Sequence, residues 1–316
     1  MMDVSVVIPT RDRPGLLAHT LKTVLWQEDV DAEVLVIDDG TGSGTGAVLE
    51  RLGDRRVQLL RNSGPPGVSG ARNSGIAAAK GHWIAFLDDD DLWAPGKLKA
   101  QLSVAEETGA TWVYAGDVTV DEDLCVRGGM PPPAPEQVVV DLRRYNAVPA
   151  GASNVVVRRE VLDAVGGFDA GLRTSEDWDL WLRLAATSLP ASVARPLVAL
   201  RAHDGMASRA VNQMLADIEI IAKRHGIPVD RARHERWAAW MCLEDGRRTV
   251  ALHHYARAVM AGDFISLGRA AMALIDPQVT RRRAPSHDDK WILEAQTWLN
   301  ALISPVYRGN QSEHLQ

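Results

Sequence analysis

The 316-residue sequence has only two cysteines, Cys125 and Cys242. Far apart and in no CxxC spacing, they exclude a disulfide-stapled scaffold, read as buried small hydrophobes and predict a reducing compartment. Long apolar runs are missing too. No window approaches the roughly 18 uninterrupted apolar residues of a membrane span, so no transmembrane segment is expected. No basic stretch precedes the apolar run at 4–9, which argues for a strand rather than a signal peptide. Positive charge is scarce in most of the chain. Over 1–205, 20 basic residues stand against 29 acidic ones, and only over 206–316 does the balance reverse, 15 against 12. An acidic front excludes nucleic acid as its main partner, since such binding displaces counterions with a basic face. With 46% hydrophobic and 24% charged residues, a cytoplasmic globular protein of about two domains is expected, with peripheral attachment to the inner membrane face left open.

Short β-branched runs at 4–9, 33–38, 57–60, 82–87 and 111–116 alternate with helical patterns at 14–27, 47–52, 70–80 and 95–108. This predicts an α/β fold with a mostly parallel central sheet flanked by helices. Ligands bind such sheets beyond the carboxyl ends of the strands, here just after residues 9, 38, 60 and 87. MPPPAPE (130–136) reads as a surface loop. Strands at 153–157 and 193–200 and helices at 159–165 and 176–186 follow, and from about Ser208 onward the pattern is helical throughout. The division expected is therefore 1–207, α/β, and 208–316, a C-terminal all-helical region.

Four consecutive aspartates, Asp88 to Asp91, stand where a buried strand ends. Neighbouring carboxylates raise each other's pKa and destabilise the fold unless a cation neutralises them. The plain reading is a solvated turn capping the helix entered at Pro95; the position at the ligand-binding edge favours a divalent cation, Mg²⁺ or Mn²⁺. Asp38 and Asp39 close another strand at the same edge. They can accept hydrogen bonds from ribose or a pyrimidine N–H, or form an Asx turn into Gly40. Gly42, Gly44 and Ala47 fit GxGxxA, which keeps an NAD-dependent Rossmann oxidoreductase as a remote alternative, although the two aspartates before them would repel a pyrophosphate. In SEDWDLWLRLA, Ser175 is the expected N-cap. Glu176, Asp177 and Asp179 fall in the first turn, and Trp178, Trp181, Leu182 and Ala185 form the buried stripe. His82, His253 and His254 have no spaced metal partners and read as surface or core residues. Arg281-Arg282-Arg283 reads as a solvated loop, and the RxxRW run from Arg233 to Trp237 as an amphipathic helix.

VSVVIPTRDRP (4–14), VLVIDDG (34–40), GVSGARNSGIAAAKGHWIAFLDDDDLW (67–93), GASNVVVRREVLDAVGGFDAGLRTSEDWDLWLRLA (151–185) and RAHDG (201–205) stand in one order along the chain. In these blocks it resembles glycosyltransferase family 2, the inverting, nucleotide-sugar-dependent class with the GT-A fold. The resemblance implies a non-processive enzyme that moves one sugar from a UDP or dTDP sugar to an acceptor: a glycan, glycoside, lipid-linked sugar, peptide or small natural product. Pro9 and Thr10 would hold base and ribose, with Arg11 or Arg13 nearby. Asp39 would read the base beside Asp38, and Arg72 would approach the donor. The DxD motif falls on Asp88 and Asp90, with Asp90 the direct ligand of Mn²⁺ or Mg²⁺ and Asp88 or Asp89 facing ribose or sugar. Asp177 would be the catalytic base and His203 would lie near the metal or diphosphate. The loop after Asp39 lacks the third acid that the family often has there. A non-catalytic nucleotide-sugar or glycan binder is the alternative.

Overall fold

The computed structural model describes residues 2–42, 44–202, 210–275 and 289–303. Its strands are β1 (Val4–Thr10), β2 (Ala32–Asp38), β3 (Val57–Arg61), β4 (Trp83–Phe86), β5 (Leu92–Trp93), β6 (Trp112–Val120), β7 (Val126–Met130), β8 (Val156–Arg158) and β9 (Ala191–Arg201). The helices of the first two-thirds are α1 (Pro14–Leu25), α2 (Gly44–Leu52), α3 (Val68–Ala78), α4 (Lys97–Thr108), α5 (Pro135–Leu142), α6 (Arg159–Val165) and α7 (Glu176–Ala185). After them come α8 (Val211–His225), α9 (Arg231–Glu244), α10 (Arg248–Met260), α11 (Ile265–Ile275) and α12 (Asp289–Ile303).

One sheet runs β3-β2-β1-β4-β8-β6-β9-β5, with β7 paired to β6. Strands β1 to β4 are mutually parallel, as the βα alternation requires. Beyond β4 the sheet is mixed: β8 is antiparallel to β4 and β6, and β9 is parallel to β6. Strand β1 is buried on both faces. Val4, Val6 and Ile8 meet Leu17, Leu21 and Val24 of α1, and Val7 packs on the other side with Ala71 and Ile76 of α3. This doubly covered centre brings the carboxyl ends of β1, β2 and β4 to one edge.

Four local expectations are corrected. The 130–136 stretch is not all loop, since Pro135 opens α5, which buries Val138 and Leu142. Proline fits a first helical turn because its missing N–H has no partner there anyway. Cys125 is exposed, because it ends the tight turn between β6 and β7; Cys242 is buried, and both are free thiols. The described residues after 208 are helical apart from their turns, but two of these helices join the α/β core. Met214, Ile218 and Ile221 of α8 pack with Trp178 and Trp181, and Ala295, Trp298 and Leu299 of α12 pack with strands β6 and β9. The RxxRW run lies on α9, which is helical as expected but not amphipathic, apolar and polar residues being spread around it: Arg233 sits over the Tyr145 ring, Arg236 pairs with Asp263, and Trp237 packs inward. His254 is buried against Glu235 at 2.7 Å. Among the described residues, no helix is long and apolar enough to cross a membrane.

Candidate active site

After β4 the chain passes Leu87 and turns at Asp88–Asp91, where the Asp91 N–H donates to the Asp88 carbonyl at 3.2 Å. One carboxylate oxygen from each of Asp88, Asp90 and Asp91 lies within 4.8 Å of the others. Asp91 is buried and accepts from the Ser153 hydroxyl at 2.5 Å. Burial, then Asp90 and Asp88, push its carboxyl well above the usual range. Asp89 turns inward, accepting from the Thr10 hydroxyl at 2.7 Å and from Arg13 at 3.3 Å. Burial lifts its carboxyl to about 6, with Thr10 opposing and Asp90 adding to the rise. Arg13 also reaches Asp90 at 2.9 Å. Thr20 donates to the Asp89 and Asp91 carbonyls, and Arg201 to that of Asp90. A solvated cap does not describe this turn: Asp89 and Asp91 are buried, and the N-cap of α4 is Gly96, with no side-chain cap bond. Three converging hard oxygens fit a small divalent cation. Asp91 is the member that the DxD spacing passes over.

The aspartates after β2 are differently placed. Asp38 accepts from the Gly40 N–H at 2.8 Å and from Arg61 at 2.9 Å, and Arg61 also bonds the Gly40 carbonyl. The Asx turn is therefore what Asp38 forms. Asp39 accepts from Asn62 at 2.6 Å and from the Gly67 N–H at 2.9 Å, tying the loop after β3 to the start of α3. That loop needs glycine at Gly70, where an added Cβ would come within 1.8 Å of the Pro65 carbonyl oxygen. Pro9 and Thr10 end β1 beside this pair, and the Asp39 N–H donates to the Thr10 carbonyl at 2.9 Å. Arg11 is exposed.

Helix α3 carries Arg72, which joins the acid run to α7. Its guanidinium donates at 2.5 Å to Asp88 and at 2.5 Å to Glu176, and lies 5.0 Å from the Phe168 ring centroid. Burial would lower its pKa, but Asp88 and Glu176 reverse the shift and raise it. Its buried Nε has no partner among the described residues. Glu176 is raised by burial to about 7 against the pull of Arg72. Asp177 accepts from Asn146 at 2.9 Å and from the Trp178 N–H at 2.8 Å. Burial raises its carboxyl, with Arg72 opposing and Asp88 near enough to add to the rise. The 3₁₀ turn Gly151–Asn154 closes over it: Gly151 has φ 50°, and a Cβ there would lie 2.6 Å from the Asp177 carboxylate.

Ser175 is not a side-chain cap. It is left-handed, with φ 57°, and makes no cap bond. The segment before α7 is instead held by Asp217 of α8. This fully buried carboxylate accepts from the N–H groups of Arg173 and Thr174 at 3.1 and 2.8 Å and from the Thr174 hydroxyl at 2.8 Å. Asp179, one turn into α7, accepts from Arg224 and His225 of α8 at 2.9 and 2.8 Å, and from Arg183. Burial works against ionisation of Asp179, but His225, Arg183 and Arg224 together hold its carboxyl below the usual range. Neither Asn146 nor Asp217 carries a sequence signal, because each reaches the site from 31 or more residues away. His203 and Arg281–Arg283 lie outside the described residues.

The sequence profile of Glycosyl transferase family 2 matches residues 5–166, and that of Glycosyltransferase like family 2 matches 137–254. The UDP-Glc:alpha-D-GlcNAc-diphosphoundecaprenol beta-1,3-glucosyltransferase WfgD of Escherichia coli is 29% identical over 181 residues, 57% of this chain and 69% of that protein. The succinoglycan biosynthesis protein ExoO of Rhizobium meliloti is 39% identical over 111 residues, covering 34% of this chain and only 31% of its own. Among solved structures, S. aureus TarS in complex with UDP-GlcNAc matches with a TM-score of 0.59 at 15% identity, over 95% of this chain and 91% of that one. The mannosyltransferase PcManGT from Pyrobaculum calidifontis, in complex with GDP-Man and Mn²⁺, matches with a TM-score of 0.53 at 18% identity, over 95% and 85%. At these identities the two structures establish the fold alone.

Proposed function

The chain belongs to glycosyltransferase family 2, and from that premise we propose a metal-dependent, inverting transfer of one sugar from a UDP or dTDP sugar to an acceptor hydroxyl, with Asp177 as general base. Membership makes the protein a nucleotide-sugar glycosyltransferase and sets aside both the non-catalytic binder and the dehydrogenase. The observation that carries the mechanism is the Arg72 bridge, which fastens the acid run of one segment to the Glu176–Asp177 pair of another.

Asp90 and Asp88, joined by Asp91, would hold Mn²⁺ or Mg²⁺, which when bound supplies positive charge against the diphosphate as it leaves. The acceptor oxygen attacks the anomeric carbon. The bond from that carbon to the diphosphate breaks with its electron pair on the diphosphate, and the hydroxyl proton passes to Asp177. Burial makes Asp177 a stronger base than a solvated aspartate, and Asn146 and the Trp178 N–H hold its two oxygens in place. Arg72 engages Glu176 and opposes the rise that burial gives the neighbouring carboxyl. On the donor side Pro9 and Thr10 present backbone to base and ribose beside Arg11 and Arg13. Asp39 reads the base, Asp38 fixes the turn, and Asp89 acts from behind through Thr10 and Arg13. His203 is assigned to the diphosphate end. We assign residues 1–207 to the catalytic unit and 208–316 to a C-terminal region whose helix α8 buttresses α7. The diphosphoundecaprenol acceptor named for the E. coli relative favours a lipid-linked sugar met at the cytoplasmic membrane face.

Asp177→Asn should lower transfer about 10²- to 10⁴-fold while UDP with Mn²⁺ still raises the melting temperature. An unchanged rate would overturn the base assignment. Activity that survives EDTA would overturn the metal, and retention of configuration by NMR of the product would overturn inversion.

A further inference from the structure

Helix α11 is apolar on the side that faces away from the protein. Its buried stripe is Ser266, Ala270 and Ala273, and the opposite arc carries Leu267, Gly268, Ala271, Met272 and Leu274, with Arg269 at the border. The turn into it adds Phe264 and Ile265, and α10 ends in Met260. Met260 is 87% exposed, Phe264 76%, Ile265 71%, Leu267 67% and Leu274 65%. Isolated apolar residues are common on protein surfaces, but large apolar side chains crowded on one short helix and its approach mark a contact surface.

Charge identifies the partner. Between 247 and 283 the sequence has seven arginines against two aspartates, while the rest of the chain has 28 basic residues against 39 acidic. Arg248 and Arg269 stand exposed on α10 and α11 themselves. An apolar arc with Arg269 at its border, on an arginine-rich stretch of sequence, matches a lipid surface with anionic headgroups, the apolar side chains entering the acyl boundary and the arginine stem reaching back to phosphate. At 11 residues, α11 is about 16 Å long, half of what spanning requires, so it would lie along the surface. The longer stretches of this sequence outside the described residues, HDGMASR (203–209), DPQVTRRRAPSHD (276–288) and SPVYRGNQSEHLQ (304–316), are too polar to cover the arc. A second copy would set arginine against arginine.

We propose that the outward face of α10 and α11, centred on Phe264 and Leu267, docks on an anionic phospholipid bilayer. The geometry stands independently of the acceptor, and it gives the lipid-linked acceptor of the proposed function a place to be met.

The test is co-sedimentation of the full chain with vesicles of phosphatidylcholine alone or mixed with phosphatidylglycerol. The wild type should bind the mixed vesicles, lose binding at high salt and bind phosphatidylcholine weakly. Phe264→Glu with Leu267→Glu should cut binding more than tenfold, and Arg269→Glu several-fold. Both variants should keep the thermal shift with UDP and Mn²⁺ and the hydrolysis of a donor sugar, which separates failure of docking from failure of the transferase reading. The proposal is overturned if the wild type stays in the supernatant or if the double variant binds equally well. It is also overturned if sedimentation velocity shows a wild-type dimer that the double variant dissolves, which would assign the face to a second copy.

Discussion

Two acidic segments lie at the carboxyl edge of the same sheet, Asp38–Asp39 after β2 and Asp88–Asp91 after β4, and they behave oppositely. Every carboxylate oxygen of the first pair accepts a hydrogen bond from the protein: Gly40 and Arg61 for Asp38, Asn62 and Gly67 for Asp39. In the second, three carboxylates converge, and burial with mutual repulsion raises Asp89 and Asp91. Residue type and place in the fold are the same. Each acid of the second run also has a protein donor, but these four carboxyls stand together and two of them are buried, so the first pair shapes the loops of the site and the second is held in a state that a cation would relieve.

The difference predicts stability changes of opposite sign. Asp90→Ala should cost about 10²- to 10³-fold in kcat yet leave the metal-free melting temperature unchanged or higher, because it removes repulsion. Asp38→Ala should lower stability by about 1–3 kcal/mol, since it leaves the buried Gly40 N–H without its acceptor. Thermal unfolding of the two variants in EDTA decides. If Asp90→Ala destabilises as much as Asp38→Ala, the acid run is structural after all.

The next effect is a pH dependence of the metal-free protein. Asp89 rises from an ordinary 3.8 to about 6. Between those values the folded chain keeps a proton that the unfolded chain has released, so this group's contribution to stability falls as pH rises through the window. The full swing is about 3 kcal/mol. Carboxyls held low, such as Asp179, work in the other direction at acid pH, so Asp89 has to be isolated. Asparagine mimics the protonated acid. The stability of Asp89→Asn relative to wild type, from urea unfolding in EDTA, should therefore increase from pH 4 to pH 7; a flat difference would show that Asp89 ionises without penalty.

The same contrast explains what could be seen in the sequence. Strands β1 to β4 and their helices were legible because continuous apolar runs and 3.6-residue stripes are local patterns, and the DxD aspartates because four acids at the end of a buried strand demand an explanation. The two-residue strand β5 and the helix opening at Pro135 were not, one being too short for periodicity and the other hidden under proline. Asp38 and Asp39 look alike in sequence to the later run. Only Arg61, Asn62 and Gly67, brought alongside by β3, show that they are satisfied. Asn146 and Asp217 were invisible for a related reason: their roles are set by contacts with α7 that no local spacing encodes.

The two members of the first pair should also differ from each other, by a smaller amount. Both oxygens of Asp39 bind protein donors, yet each carboxylate oxygen has a second lone pair, and Asp39 is less deeply buried than Asp38. A carboxylate that anchors a loop and also reads a pyrimidine N–H should show both roles separately. Asp39→Asn keeps the shape but loses one acceptor oxygen. It should raise the donor KM about tenfold, equivalent to about 1.4 kcal/mol, with kcat nearly unchanged, because base contacts are made equally in ground and transition states. Asp38→Asn, whose oxygens both serve the turn, should lower the melting temperature and leave the donor KM of the folded protein alone. Steady-state kinetics on the two variants would reverse the assignment if the KM effect followed Asp38. If both lost kcat instead, the pair would be acting through the position of Arg72, which Asp39 sets by anchoring the start of α3 at Gly67.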